Sequence, residues 1–263
     1  MQERHQNKDR YFQEQAITTK KYVIPYIEKI LPVTQNTKVL EIGCAEGGNL
    51  LPFLDIGCMV TGIDISASRI QLAEKFFMDH PARKNLQLIT DDIYKAHYLN
   101  ESFDLVILRD VIEHIPNQEF FMEYVKKFLR PGGKVFFGFP PWQNPFGGHQ
   151  QIVHHRILSK LPYYHLLPRL VYRYILKLAG ASAETIKALM EIRDTGISID
   201  RFEKILKKTG YKIDRKTFYF INPNYETKFK IKPREQLKPV SALPFLRNFF
   251  VTAAYYVVSS TKN

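Results

Sequence analysis

Acidic and glycine residues at the ends of short apolar runs are the feature of the sequence most suggestive of chemistry. The segment VLEIGCAEGGNL at 39–50 places Glu41, Gly43 and Gly47 between an apolar run and a stretch with helical periodicity. Asp64 ends the next apolar run, 21 positions after Gly43. A glycine turn between a strand and a helix brings backbone N–H groups close to a ligand, and a carboxylate at the following strand end can accept both hydroxyl protons of a ribose. The spacing predicts a ligand that contains a nucleoside.

The third apolar run ends in TDDI, which extends the same pattern. Asp92 is predicted to face an adenine amino group, and Asp91 competes with it for this role. A dinucleotide site would require the spacing G-x-G-x-x-G, in which the second glycine admits a pyrophosphate. Ala45 occupies that position, and the carboxylate of Glu41 just before the turn would repel a diphosphate. The ligand is therefore predicted to be cationic rather than phosphorylated.

These residues require a framework in which strands and helices alternate. Apolar runs predict five strands in the first half of the chain, with helical patterns between them, including one that Ser66 caps. The predicted strands are 38–42, 59–65, 86–90, 103–108 and 134–139. Strands that alternate with helices indicate an α/β protein with a parallel, doubly wound sheet, which binds ligands at the carboxyl ends of its strands.

The composition is typical of a globular protein with a basic balance. Of 263 residues, 45% are hydrophobic, and 38 basic against 26 acidic side chains give a net charge of +12. The start MQERHQNKDR is too polar for a signal peptide, and the longest apolar run, FFVTAAYYVV, is too short to span a bilayer as a helix. Two cysteines, Cys44 and Cys58, provide no disulfide framework or metal cluster. We expect a cytoplasmic protein without a metal site.

At these residues the sequence resembles the class I S-adenosylmethionine-dependent methyltransferases, which have a Rossmann-like fold. The segments VLEIGCAEGGNL, VTGIDIS, LITDDI, FDLVILRDVIEHI and LRPGGKVFFGF match the successive motifs of that family in order and at its usual spacing, over about residues 38–140. Five ordered matches are far more specific than one glycine loop. The resemblance implies methyl transfer as the activity and S-adenosylmethionine as the cofactor.

The resemblance also implies two groups of cofactor contacts, one at the amino-acid end of the cofactor and one at its nucleoside. The first group is Glu41, Gly43 and Gly47, with Arg109 beside the methionine moiety. The second group is Asp64 at the ribose hydroxyls, Ile65 on the adenine, and Asp92 with Ile93 at the adenine edge.

The family further implies a mostly parallel seven-stranded sheet with helices on both faces, a helical insertion after the fifth strand and an antiparallel final pair of strands. Segments 211–221 and 249–258 suit that pair, and SIDRFEKILKKTG suits the last crossover helix. The predicted organisation is a helical lid at 1–32, a cofactor-binding core at 33–140, a substrate-recognition insertion at 141–196, and the last helix and strands at 197–263.

A hydroxyl or amine that accepts a methyl group must lose a proton, and histidine suits that task because its pKa is near neutral. The loop PPWQNPFGGHQQIVHHR, after the fifth strand, contains three histidines where substrate loops are expected. We predict His149 as the catalytic base, because the glycines before it allow a tight turn over the pocket. A loop histidine bonded to the backbone is the alternative. Trp142, Gln150 and Gln151 are further predicted acceptor contacts.

Glu113 and His114 form a second candidate acid–base pair just after the fourth strand. In the family that the sequence resembles, such a pair more often stabilises the loop that contains it. Both roles stay open from the sequence.

Three functions fit these observations. The favoured one is methylation of a small apolar molecule such as a quinone, a polyketide or a lipid precursor, with oxygen favoured as the accepting atom and carbon or nitrogen as alternatives. An RNA methyltransferase is the second, because the chain combines its +12 charge with 19 Phe and 15 Tyr, although no separate RNA-binding module is visible. A non-catalytic binding module that retains the fold is the third. The acceptor and the oligomeric state are not identified.

The N-terminal segment 9–32 has helical periodicity, with aromatic and aliphatic side chains available for burial. These are Tyr11, Phe12, Tyr22, Ile24 and Ile27. Similar methyltransferases fold such a segment over the cofactor as a lid, with Tyr11 and Phe12 here on its inner face. A helix packed permanently on the sheet is an equal alternative.

The chain has no acidic residue between Glu123 and Glu184, and the centre of this interval, 158–180, predicts a basic amphipathic helix. Pro168 suits its first turn, and Arg169, Arg173 and Lys177 recur every four residues. Its other faces carry Leu170, Val171, Tyr174, Ile175 and Leu178. Such a helix could lie on the inner, anionic face of a membrane, it could cover the acceptor, or it could simply expose a basic face to solvent.

Overall fold

The computed structural model describes residues 7–261, which are built around one eight-stranded sheet. The strands lie in the order β3-β2-β1-β4-β5-β8-β6-β7. They are β1 Lys38–Ile42, β2 Met59–Asp64, β3 Leu86–Thr90, β4 Phe103–Arg109, β5 Leu129–Phe139, β6 Tyr211–Ile221, β7 Arg234–Glu235 and β8 Ala253–Ser260. Strands β1 to β5 pair in parallel, whereas β8 is antiparallel to both β5 and β6.

This architecture confirms the predicted fold class. The seven predicted strands are all present, and the eighth is the two-residue β7, which pairs with β6 at the edge of the sheet. Strand β4 is buried along its whole length, as its apolar sequence without alternation predicts for a strand covered on both faces. In strand number the prediction therefore differs from the structure by one short edge strand, whereas β5 begins five residues earlier and β8 four residues later than predicted.

Helices cover both faces of the sheet. They are α1 Lys8–Thr18, α2 Ile24–Ile27, α3 Leu51–Ile56, α4 Ala67–Phe77, α5 Gln118–Val125, α6 Arg169–Leu178, α7 Ala183–Thr195, α8 Ile199–Lys208, α9 Asn224–Phe229, α10 Lys238–Ala242 and α11 Arg247–Phe250. A π-helical turn, Thr19–Val23, joins α1 to α2. Alternate strand residues face opposite sides, so Leu40 packs in the core that contains α5 and α8, and Val39 in the core that contains α1 to α4.

The predicted insertion lies between β5 and α8 and has a small core of its own. Three 3₁₀ turns lead into α6, which begins directly after Pro168, and α7 packs beside it. Tyr172 and Leu176 of α6 are fully buried against Leu189 of α7. The insertion therefore folds as a compact unit after the fifth strand.

Candidate active site

A cavity of about 790 Å³ opens at the carboxyl edge of the parallel strands. The turns after β1, β2, β3 and β4 and the loop after β5 form its wall, as expected for a doubly wound sheet. Six of the predicted site residues lie in this wall. They are Gly43, Asp64, Ile65, Asp92, Ile93 and His149.

The turn after β1 has a backbone that only glycine adopts readily. Gly43 and Gly47 have φ angles of +71° and +81°. A Cβ atom at Gly43 would lie 2.9 Å from Val111, and one at Gly47 would lie 2.8 Å from the ring of Phe77. Gly43 therefore shapes the cavity wall, whereas Gly47 lets the turn pack against α4.

Asp64, at the end of β2, is buried and joins two turns of the wall. Its Oδ2 accepts a hydrogen bond from the backbone N–H of Ala45 at 2.9 Å, and its Oδ1 accepts one from the N–H of Ser66 at 2.8 Å. Each carboxylate oxygen has a second lone pair, so these bonds orient the group without exhausting it. Ser66 stands at the N-cap of α4 as predicted, but its side chain makes no capping hydrogen bond.

The turn after β3 brings both candidate adenine contacts into the wall. Asp91 Oδ1 accepts from the N–H of Asp92 at 2.8 Å, and Asp92 Oδ1 accepts from the N–H of Tyr94 at 3.0 Å. Both carboxylates thus stabilise the turn, and the choice between them stays open. Ile65 is 79% exposed, a large apolar side chain in the cavity wall, and Ile93 is buried beside it in the same wall.

Glu41, Gly47 and Arg109 lie behind the wall rather than in it, as far as residues 7–261 show. Asn49 Nδ2 donates to Glu41 at 2.6 Å, and Arg109 donates to Asn49 Oδ1 at 2.7 Å and to Thr19 Oγ1 at 3.0 Å. Burial raises the pKa of Glu41 to about 8, against the lowering effects of Asn49 and Arg109. This buried network joins the glycine turn to the N-terminal segment, and a direct cofactor contact by these three residues stays a prediction.

Glu113, His114 and His149 meet in the wall on the side of the insertion. One potential ligand atom from each of the three residues lies within 4.8 Å of those from the other two, and the two imidazole centroids are 5.1 Å apart. Burial, followed by the nearby charge of Asp110, raises the pKa of Glu113 well above its ordinary value. Loss of hydration at the cavity wall lowers the pKa of His114, which favours its neutral form, although the residue remains exposed on one side. The two candidate histidines, which lie in separate segments of the sequence, are therefore neighbours in the structure.

The turn that carries Glu113 is held by the insertion. Thr195 Oγ1 donates to the carbonyl of Glu113 at 2.6 Å, and Gln118 Nε2 donates to the carbonyls of Ile112 at 3.1 Å and Thr195 at 2.5 Å. Sequence reasoning missed Gln118 and Thr195, because both act through backbone atoms of a distant segment.

The other predicted acceptor contacts are distributed differently. Gln151 lies in the cavity wall. Gln150 is buried and donates to the carbonyls of Pro145 at 2.8 Å and Leu161 at 3.2 Å. The carbonyl of Trp142 accepts from His165 at 2.8 Å, with the two rings edge to face. Gln150 and Trp142 thus hold the loop together instead of facing the cavity.

Helix α1 contributes one side of the cavity and is anchored at several points. Tyr11 and Lys8 lie in the wall, and Lys8 forms an ion pair with Glu46 at 2.5 Å. Phe12 points away from the wall into the core, with its ring 4.6 Å from that of Phe76. Of the two residues predicted for the inner face, the structure therefore places Tyr11 at the cavity and Phe12 in the core.

Residues 12–215 match the family model described as a methyltransferase domain. This match covers most of the chain. The protein belongs to the methyltransferase-domain family. The predicted family is thereby confirmed, and with it the enzyme class.

Among curated relatives, the chain is 27% identical over 109 residues to the sterol 4-C-methyltransferase strm-1 of Caenorhabditis elegans, which covers 41% of this chain and 33% of that protein. It is 35% identical over 105 residues to a ubiquinone biosynthesis O-methyltransferase of Rhizobium leguminosarum bv. trifolii, which covers 39% and 40%. The matched region thus spans less than half the length of these relatives.

Solved structures share the fold over nearly the whole chain. A putative sarcosine dimethylglycine methyltransferase from Galdieria sulphuraria has a TM-score of 0.60 at 12% identity and covers 92% of this chain and 85% of its own. Magnesium protoporphyrin IX methyltransferase from Synechocystis, solved with bound SAH, has a TM-score of 0.56 at 16% identity and covers 94% and 84%. Phosphoethanolamine N-methyltransferase 2 from Haemonchus contortus, solved with S-adenosyl-L-methionine, has a TM-score of 0.56 at 16% identity and covers 90% and 51%.

Proposed function

We propose that the protein transfers the methyl group of S-adenosylmethionine to an oxygen of a small, apolar acceptor. The observation that carries this proposal is a single cavity whose wall contains the turn held by Asp64 and the cluster of Glu113, His114 and His149. The first group suits a nucleoside, and the second suits a proton-bearing acceptor.

The chemistry demands alignment more than activation. The sulfonium already carries a good leaving group, so the protein needs to hold an acceptor lone pair in line with the methyl–sulfur bond and to exclude water. The oxygen–carbon bond forms as the sulfur–carbon bond breaks, and sulfur keeps the electron pair. The hydroxyl proton passes to His149, whose ring lies at the wall beside His114.

A small apolar acceptor fits the remaining wall. Phe146, Ile115 and Ile152 lie there together with the amide side chains of Asn144 and Gln151, so the wall offers apolar surface beside polar groups that could orient an acceptor. The curated relatives named above are a ubiquinone biosynthesis enzyme and a sterol methyltransferase, whose names support an acceptor of this class.

Two experiments test this function. The first is calorimetric titration of the full chain with S-adenosylmethionine. The second is incubation of the protein and labelled cofactor with a lipid extract of the source organism. We expect saturable cofactor binding and label in an extracted small molecule. Label in RNA instead would favour the RNA methyltransferase. The net charge of +12 suits that alternative, because basic side chains bind the phosphate backbone. Absence of cofactor binding would favour a binding module that retains the fold.

We also predict that the N-terminal segment acts as a lid. Tyr11 and Lys8 line the cavity, so cofactor binding should slow amide hydrogen exchange within residues 9–31. The amides of β4, which are buried in any state, serve as an internal control. Unchanged protection of residues 9–31 on addition of cofactor would instead indicate a helix that is packed permanently.

Helix α6 supports a further part of the proposal, contact with an anionic membrane. Leu170, Tyr174 and Leu178 are 79%, 62% and 70% exposed and lie four residues apart, so they form one apolar stripe. The exposed side chains of Arg169, Arg173 and Lys177 form the stripe next to it. Three large apolar side chains in one exposed row favour contact with an apolar phase over a basic face that is only solvated. The paired stripes match a helix that lies in the interface of an anionic bilayer.

A second group of exposed apolar side chains lies close to the insertion. Tyr163 Oη donates to the carbonyl of Phe249 at 3.0 Å, and the exposed Phe245 packs against Phe249 with ring centroids 5.4 Å apart. Contact with the bilayer here is peripheral, since no helix within residues 7–261 is both long and apolar enough to cross it.

Co-sedimentation with vesicles that contain phosphatidylglycerol tests the membrane contact. The wild type should bind, and the triple variant R169E/R173E/K177E should lose most binding because it reverses three charges and lowers the net charge by six units. Variant L170S/Y174S/L178S keeps the cations and should lose the part of the binding that survives added salt.

The matched control is K29E/K38E/K84E, which makes the same change of charge at exposed lysines at or before the amino ends of β1 and β3. This control should bind vesicles nearly as well as the wild type. Indifference of the wild type to vesicles, or equal losses in the control and the α6 triple variant, would contradict contact through α6.

A further inference from the structure

The cluster of Glu113, His114 and His149 has the composition of a metal site, although the sequence alone predicts none. We propose that these three residues bind one divalent transition-metal cation such as Zn²⁺. The use of this cation in methyl transfer rests on the function proposed above, whereas its binding does not.

The three side chains converge from two separate segments. Glu113 and His114 follow β4, and His149 comes from the loop after β5. One potential ligand atom from each residue lies within 4.8 Å of those from the other two, and the imidazole planes stand at 75°. Small movements bring such atoms to the ligand–ligand separations of a site whose metal–ligand bonds are about 2.0–2.2 Å long.

The carboxylate of Glu113 provides the second, independent observation. The residue is 4% exposed, and neither of its carboxylate oxygens has a hydrogen-bond partner among the described residues. A buried carboxylate without a partner is unfavourable, and such groups are normally paired or coordinate metals. Asp110 adds a second negative charge close to this site. A cation between Glu113 and the two imidazoles would remove this unfavourable state.

The backbone holds the cluster in place by unusual conformations. His149 has a φ of +52° and Asp110 a φ of +55°, a region that residues other than glycine seldom adopt. Such strain is found mostly at binding sites and active sites. Here it occurs on both segments that bring the cluster together.

The donor set identifies the class of cation. Two imidazoles and one carboxylate suit Zn²⁺ and its first-row neighbours, whereas Mg²⁺ and Ca²⁺ prefer sites made of oxygen ligands. Zinc sites with three protein ligands keep a fourth position for water or substrate. All three residues line the cavity, so this position would face the acceptor.

A cation there would bind the oxygen of the acceptor hydroxyl and lower its pKa, so that the proton passes to water. An acceptor deprotonated with the help of such a cation would form its oxygen–carbon bond as the sulfur–carbon bond breaks, with sulfur retaining the electron pair and water taking the hydroxyl proton. His149 would be a ligand of the cation in the metal-bound protein, and in the metal-free protein it keeps the role of base proposed above.

Titration of the metal-stripped full chain with Zn²⁺, and with Co²⁺ monitored by its visible absorption, tests the site. We expect one cation per chain, with affinity at least about 100-fold weaker in Glu113→Gln and in His149→Ala. Glutamine preserves the shape of Glu113 and removes a buried charge, so this variant should fold. His80→Ala is the control, because His80 contacts Asp55 at 3.1 Å outside the cluster.

Weak or non-saturable binding by the wild type, or undiminished binding by both variants, would overturn the metal site. Titration of the same samples with S-adenosylmethionine separates the two claims. If the wild type binds the cofactor but not zinc, only the metal site is refuted. If the wild type does not bind the cofactor, the proposed function is refuted.

Discussion

Replacement of His149 by alanine is expected to slow methyl transfer by about 10²–10⁴-fold, the usual contribution of a positioned acid or base. The affinity for S-adenosylmethionine should change less than about twofold, because His149 lies with Glu113 and His114 rather than with the turn held by Asp64. Initial rates of label transfer and calorimetric titration with the cofactor measure the two quantities separately.

His155→Ala is the matched control for this prediction. His155 belongs to the same loop, but its Nδ1 accepts from the backbone N–H groups of Ile157 and Leu158, at 3.3 Å and 3.2 Å, outside the cavity wall. A rate for His149→Ala that equals the rate of this control would contradict a catalytic role. The role would also fail if the loss of rate were matched by an equal loss of cofactor affinity.

Asp64→Ala is expected to weaken binding of S-adenosylmethionine by about 1.5–3 kcal/mol, or roughly 10- to 150-fold, on the scale of hydrogen bonds to charged groups. The substitution removes the predicted ribose contact and also the two backbone contacts that hold Ala45 and Ser66. Calorimetry measures the affinity, and a thermal melt reports whether the turns have loosened.

Asp64→Asn separates the two effects, because it keeps the size of the side chain and one acceptor oxygen. It should bind the cofactor with intermediate affinity. Asp55→Ala removes a partly exposed carboxylate outside the cavity wall and should leave cofactor affinity unchanged. Wild-type affinity in Asp64→Ala would mean that Asp64 only connects the two turns.

The sequence predicted the central sheet well, because burial on both faces leaves a plain signal in a parallel strand. The run FDLVIL corresponds to β4, and the predicted bounds of β1 and β3 match the structure. Strand β7 was missed because two exposed residues, Arg234 and Glu235, have no hydrophobic pattern and gain their conformation only by pairing with β6.

The candidate site was predictable where one residue acts at one strand end, as for Asp64, Asp92 and Gly43. It was less predictable where function depends on contacts between distant segments. The link from Glu41 through Asn49 to Arg109 and Thr19 joins positions up to 90 residues apart in the chain. The meeting of Glu113 with His149 likewise requires the fold of the loop after β5, which periodicity does not encode.

The exposure of α6 shows a third limit. The repeat of Arg169, Arg173 and Lys177 was visible in the sequence, but which apolar residues are buried was not. The structure buries Tyr172 and Leu176 against α7 and leaves Leu170 and Leu178 exposed, because the insertion packs on only one side of the helix.

A crystal structure of the full chain with bound S-adenosylhomocysteine tests the central claim most directly, because it locates both ends of the cofactor at once. The account predicts ribose hydroxyls within hydrogen-bond distance of Asp64, the adenine against Ile65, and the sulfur directed toward the cluster of Glu113, His114 and His149. A ligand bound outside this cavity, or one whose sulfur points away from that cluster, would contradict it.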